Sequence, residues 1–235
     1  MKRGGSGETA TAGAIARGTS ADLWREAASW PLAERLHLAG RFQSAPWERI
    51  LARLPREGSL LDVGCGPGLL AWLLAREGFA GTYLGLDPDG RKVERARRWP
   101  LPAGRFSFEK GRAQEAPRGA FTAAAVVDVL YLVPPRERAG FAAGVVSALC
   151  PGGLLVVVTS GGGPPWKRAL DRAQERTAVA IGMTRGEAVA PCDGAEAARV
   201  LEGAGVCDVR VETIGNGYSH GFEVASGIAG AVPRR

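Results

Sequence analysis

The chain has 235 residues, 46% of them hydrophobic, and a formal net charge of +6. That is enough for one domain with a real core, and the mean hydropathy of −0.04 comes with no stretch near the ~18 apolar residues of a membrane span. Four scattered cysteines, Cys65, Cys150, Cys192 and Cys207, with no C-x-x-C pair and only two histidines in the chain, argue against a metal site or a disulfide framework.

Residues 1–19 are small and polar and read as a disordered tail. Lys2 and Arg3 lead into GGSGETATAG rather than an apolar segment, so we expect no signal peptide and a cytoplasmic protein. From Ser20 the pattern is helical. ADLWREAASW, PLAERLHLAGRF and PWERILARLP read as three short helices of an N-terminal cap over residues 20–57, punctuated by prolines. Residues 58–230 then alternate strand and helix. SLLDVG, TYLGLD (82–87), RFSFEK (105–110), AAAVVDVLYL (123–132) and LLVVVTS read as five strands. LLAWLLAREG, DGRKVERARRW and PPRERAGFAAGVVSALC read as the helices between them. A long amphipathic helix around Trp166, Leu170, Ala173 and Thr177 follows, and then GAEAARVLEGAG. CDVRVETI and FEVASGIA close the domain as a hairpin joined by GNGYSHG. Near-wholly apolar strands alternating with helices imply an α/β, Rossmann-like, doubly wound parallel sheet with helices on both faces. The closing hairpin adds one antiparallel strand.

LLDVGCGPGLL, Leu60 to Leu70, places Gly64, Gly66 and Gly68 where a buried strand turns into a helix. A tight turn alone needs fewer glycines. Bare backbone beside a helix N-terminus is how a nucleotide-like ligand is approached closely. The spacing is G-x-G-x-G, and the third position of the dinucleotide fingerprint is Leu69, which argues against a nicotinamide cofactor. Asp87 ends the second strand about twenty residues on, where a carboxylate can accept from both hydroxyls of a ribose.

With LGLDPDG, VVDVLYLVPP and LCPGGLLVVVT, this constellation resembles the class I S-adenosylmethionine-dependent methyltransferases, most specifically over Ser59–Ser160. The resemblance implies a seven-stranded sheet in the order 3-2-1-4-5-7-6 with the last strand antiparallel. It implies S-adenosylmethionine as cofactor. Asp62, Gly64, Cys65, Gly66, Gly68, Asp87, Pro88, Ala113, Asp128 and Val129 would line its site. Gly64, Gly66 and Gly68 would pass beneath the cofactor, Asp62 would lie near its amino group, and Leu86 and Pro88 would flank the sugar and adenine. Two positions depart from the family's usual pattern. Arg112 stands where an acid often meets adenine, leaving the Ala113 N–H or Gln114 for that role. Thr122 stands where an aspartate often follows Phe121.

Catalytic side chains must come from the carboxyl ends of the parallel strands or from the closing hairpin loop on the same rim. That selects Tyr131, Tyr218 and His220, with His220 as general base. The plain alternative is a hairpin histidine bonding only backbone. Asp128, Thr159 and Ser160 share the rim. His37 reads as packing or surface, and Arg41 as either a surface residue or a carboxylate partner. Trp30, Trp47 and Trp166 read as core or as walls of an apolar pocket. The basic run RKVERARR lacks interleaved aromatics and reads as a solvated helix face, which argues against nucleic acid as partner. LVPP lacks the flanking residues of amino-methylating nucleic-acid enzymes. Pro191-Cys192 falls too far along the chain to be the nucleophile pair of cytosine methylation. The expectation is therefore a methyltransferase for a small-molecule or lipid-like metabolite, acting at oxygen or carbon. An RNA or protein methyltransferase, or a non-catalytic S-adenosylmethionine-binding partner protein, stands as the alternative.

Overall fold

The computed structural model describes residues 15–162, 190–214 and 221–230. The chain divides between Gln43 and Ser44 into two compact units.

In the first unit, α1 spans Ile15–Glu26 and begins upstream of the Ser20 start read from sequence. Helix α2 spans Leu32–Ser44, directly after Pro31. The Arg35 guanidinium lies over the Trp24 ring at 4.5 Å and donates to the Trp24 carbonyl at 3.2 Å. The third short helix, α3 (Trp47–Leu51), falls in the second unit. Arg49 donates to the Ile214 carbonyl at 2.7 Å and Arg53 pairs with Glu212, so side chains tie this helix to the far end of the sequence.

The second unit is built on seven strands: β1 Ser59–Val63, β2 Thr82–Asp87, β3 Phe106–Lys110, β4 Phe121–Val127, β5 Leu149–Gly162, β6 Val206–Thr213 and β7 Gly221–Ala229. Their order is β3-β2-β1-β4-β5-β7-β6, with β7 antiparallel to both neighbours, as the sequence motifs imply. Helices α4 (Leu69–Arg76), α5 (Gly90–Ala96), α6 (Pro135–Ala148) and α7 (Gly194–Gly203) connect and cover them. One face of the sheet carries Leu61, Val63, Leu84, Leu86, Ala124, Val126, Leu155 and Val157, packed with α6 and α7 residues into one core. The register Leu60↔Tyr83 and Asp62↔Gly85 puts Asp62, Tyr83 and Asp87 together on the opposite face.

Strand β4 is shorter than its apolar run suggests. It ends at Val127 rather than Leu132, because Asp128 takes a left-handed conformation (φ 57°) and Leu130–Leu132 form a 3-10 turn. Tyr131 therefore sits in that turn, past the strand end. At the other end, Thr122 and Ser59 exchange hydrogen bonds: Thr122 N–H donates to Ser59 Oγ, and Ser59 N–H to Thr122 Oγ1. Thr122 is thus a clamp between the starts of β1 and β4. The late amphipathic helix, with Trp166, lies outside the described residues, as do Tyr218 and His220.

Candidate active site

The loop Gly64–Gly68 is pinned through its own backbone to β2 and to Trp99, just past the end of α5. Gly64 N–H and Cys65 N–H both donate to the Leu86 carbonyl, at 2.7 and 3.0 Å. Gly66 N–H donates to Asp87 Oδ2 at 3.0 Å, and Trp99 Nε1–H donates to the Pro67 carbonyl at 2.7 Å. All three glycines have positive φ, 79°, 55° and 83°, where a Cβ is strained. They differ in what lies beside them. A Cβ on Gly64 would stand 2.4 Å from Val129 Cγ2, and one on Gly68 2.9 Å from Ala96 Cβ. A Cβ on Gly66 would meet nothing within 4 Å. Two glycines therefore admit protein side chains, and the third faces open space.

Asp87 borders that open side. Its Oδ1 accepts the Asp89 N–H at 2.8 Å and its Oδ2 the Gly66 N–H. A carboxylate oxygen has two lone pairs, so each keeps one acceptor position. Burial pushes the Asp87 carboxyl above its ordinary value, while the Asp89 N–H, Lys92 and the Gly66 N–H pull it back. The neighbouring Asp89 is held below the usual carboxylate range by its hydrogen bond with Arg91, and it caps α5 by accepting from Arg91 N–H at 3.0 Å. Pro88 between them is exposed and Leu86 is buried. An open glycine, a carboxylate with free acceptor positions and uncapped N–H groups at the start of α4 fit a ribose-bearing ligand.

Asp62 is only 2% exposed and accepts from the Tyr83 hydroxyl. Burial lifts its carboxyl from 3.8 to about 7, the Tyr83 hydrogen bond opposing this and Asp87 adding repulsion. Cys65 is buried, and its thiol is pushed well up by burial and by Asp62. A Cβ on Gly85 would stand 2.9 Å from Cys65 Cβ, so that strand glycine makes room for the cysteine. The Cys65 side chain is thus a packing group, and its N–H is taken by Leu86. Ala113 is buried at the start of a 3-10 turn, Ala113–Glu115, whose preceding residue, Arg112, is exposed and donates its N–H to Glu115 Oε2 at 3.0 Å. The Gln114 amide donates to the Gly140 carbonyl at 3.3 Å, toward α6.

On the β4–β5 rim, Ser160 Oγ donates to Asp128 Oδ1 at 2.6 Å, and Asp128 N–H donates to the Val158 carbonyl at 2.9 Å. Thr159 is buried, its hydroxyl 3.5 Å from the Glu223 carbonyl. Val129 packs on Gly64, so the rim and the glycine loop touch through that side chain. Tyr131 is half-buried against the core, and its carbonyl accepts the Ala190 N–H at 3.0 Å. Behind it, Arg138 is 2% exposed. It donates to the carbonyls of Val133, Ala190 and Pro191 and pairs with Glu196 on α7. Cys192 beside it is 1% exposed, its thiol raised to about 11 by burial, which suits packing and not attack. His37 lies exposed on α2, Arg41 is half-buried, and Trp30 and Trp47 are buried.

Sequence reasoning missed Tyr83 and Trp99. Tyr83 shares strand parity with Asp87, and a tyrosine in an apolar strand needs a partner for its hydroxyl, which was the available signal. An open cleft of about 320 Å³ beside the edge strand β3, lined by Arg97, Trp99, Pro102 and Phe108 among others, shares only Trp99 with the glycine corner.

Residues 60–153 match the family model of a methyltransferase domain. The chain is 32% identical over 102 residues to a carboxy-S-adenosyl-L-methionine synthase of Alteromonas mediterranea, covering 41% of this chain and 42% of that protein. It is 37% identical over 121 residues to a ubiquinone biosynthesis O-methyltransferase of Methylocella silvestris, covering 51% and 46%. The chain thus spans under half the length of these curated relatives. Among solved structures, the S-adenosylmethionine-dependent methyltransferase SibL superposes with a TM-score of 0.66 at 22% identity, over 89% of this chain and 62% of that one.

Proposed function

We propose that this chain, whose sheet order and match to a methyltransferase-domain model over residues 60–153 support a class I S-adenosylmethionine-dependent reading, methylates oxygen or carbon of a small-molecule or lipid-like acceptor with S-adenosylmethionine. The observation that carries the reading is the Gly66–Asp87 pair: backbone open to a ligand beside a carboxylate with unused acceptor positions.

When bound, S-adenosylmethionine supplies a methyl group activated by the sulfonium. The protein's part is alignment, which is worth on the order of 7–11 kcal/mol in the best cases. In this reading Asp87 accepts from the ribose hydroxyls, Gly66 lets the backbone lie against the ligand, and Leu86 and Pro88 flank the sugar and adenine. Gly64, packed on Val129, fixes the loop's height. The Ala113 N–H serves the adenine edge in place of the missing acid. Asp128, held by Ser160, lies at the rim toward the acceptor. Tyr131, Tyr218 and His220 remain the proposed acceptor-side groups, with His220 taking the proton of a hydroxyl acceptor. The O-methyltransferase relative supports an oxygen acceptor. The carboxy-S-adenosyl-L-methionine synthase is similar over nearly as much of the chain, so the shared domain accommodates more than one chemistry.

The test is to supply S-adenosylmethionine labelled in its methyl group with a panel of phenols, enolisable acids, lipids, RNA and protein. Label in a small-molecule or lipid product, reduced by His220→Ala, supports the reading. Label in RNA or protein, or none in any fraction despite cofactor binding, overturns it in favour of one of the two alternatives.

A further inference from the structure

Tyr83 projects from the second residue of β2 into the face that also carries Asp62 and Asp87. Its ring is wedged against Phe106 and Phe108, with centroids 5.4 and 5.7 Å away, and is 2% exposed. Its one polar atom donates to Asp62 Oδ2. Asp62 is itself buried and stands two residues before Gly64, at the foot of the glycine loop. A buried carboxylate with one donor is a costly anion, and a cation brought over the loop would repay that cost. Resting on the reading above, we propose that Tyr83 is a positioning residue for the cofactor site. Its hydroxyl holds Asp62 as an anion beneath the loop and so sets the pH below which the site stops taking a cationic ligand.

Several titratable groups face this corner. Asp62 comes from β1, Tyr83 and Asp87 from β2, Cys65 from the loop, and Asp89 and Lys92 from the β2–α5 turn and α5. Lys92 acts on Asp87, Asp89 and, least, on Cys65. Asp62 is the group whose carboxyl burial lifts to about 7, against the Tyr83 hydrogen bond. Ligand binding to the ionised form alone weakens in proportion to the ionised fraction, about tenfold between pH ~8 and pH ~6. Without the hydroxyl, the carboxyl rises further and the loss begins at higher pH. Asp87 also titrates, but in this reading it meets the ribose of every ligand alike.

The experiment is calorimetric titration of the full chain between about pH 5.5 and 8.5. Three probes share the ribose and adenine: S-adenosylmethionine adds a sulfonium and an amino-acid ammonium and carboxylate, S-adenosylhomocysteine the ammonium and carboxylate without the sulfonium, and methylthioadenosine none of these charges. We expect the first to weaken about tenfold from pH ~8 to pH ~6, beyond any change in methylthioadenosine, and S-adenosylhomocysteine to fall between. In Tyr83→Phe the midpoint for the two ammonium-bearing probes moves up while that for methylthioadenosine stays. In Asp62→Asn the extra pH dependence disappears. Equal pH dependence of all three probes in the unmodified chain overturns the proposal and leaves the cofactor reading standing, as does an unmoved midpoint in a folded Tyr83→Phe. Failure of every probe to bind at any pH overturns both.

Discussion

The β1–β2 corner and the β4–β5 rim meet at Val129 but are held by different means. The corner is fixed by backbone: Gly64, Cys65 and Gly66 donate their N–H groups to Leu86 and Asp87, and two of its three glycines are filled by neighbouring side chains. The rim is fixed by side chains from distant sequence: Ser160 on Asp128, and buried Arg138 on three carbonyls and on Glu196. Backbone devices leave a spacing in the sequence, whereas side-chain devices leave only a residue type.

The contrast makes the rim the more fragile half. Arg138→Ala should cost about 3–5 kcal/mol of stability, nearer the lower figure because Glu196 is one-third exposed and can rehydrate. Denaturant unfolding would measure this, and a loss below about 1 kcal/mol would remove Arg138 as the rim's keystone.

Asp62 should show the opposite sign. Its folded carboxyl lies above the ordinary value, so the folded state holds the proton more tightly between pH 3.8 and about 7. Stability is therefore lost as pH rises through that window, and the full penalty applies above it. Asp62→Asn removes a penalty of order 4 kcal/mol at most, so its Tm should exceed that of the unmodified chain at neutral pH and the gap should close toward pH ~4. A gap independent of pH would contradict the assignment. The same variant is expected to lose the preference for cationic ligands, an exchange of stability for binding.

The glycines separate along the same line. Gly64→Ala meets Val129 at 2.4 Å and takes an unfavourable φ, so about 2–4 kcal/mol of stability should go. Gly66→Ala carries only the conformational cost, about 1–2 kcal/mol, and should act mainly on ligand affinity. Equal unfolding midpoints for the two would break the distinction between packed and open glycines. The smallest effect belongs to Trp99→Phe, which gives up the hydrogen bond to the Pro67 carbonyl for about 1 kcal/mol. Slightly faster hydrogen exchange at the loop would register it.

What was legible in the sequence follows this division. The glycine loop and Asp87 could be read because their residues sit at fixed offsets within one strand–turn–helix unit, and the strand order is what the resemblance carried by those motifs implies. Strand β4 was read five residues too long because Leu130–Leu132 continue the apolar run. The left-handed turn at Asp128 comes with an Asp–Ser contact across 32 positions. The buried Tyr83–Asp62 pair spans 21 positions and needed the strand register before it could be seen. Tyr218 and His220 were chosen for their place on a hairpin, and they lie outside the described residues.

The measurement closest to the central claim is calorimetric binding of S-adenosylmethionine and S-adenosylhomocysteine, with NADH as the control, to the unmodified chain and to Asp87→Ala. The account predicts micromolar binding of both sulfur nucleosides, weakened at least tenfold by the substitution through loss of charge-assisted hydrogen bonds to ribose, and no comparable binding of NADH. Binding that Asp87→Ala leaves unchanged, or a preference for NADH, would contradict it.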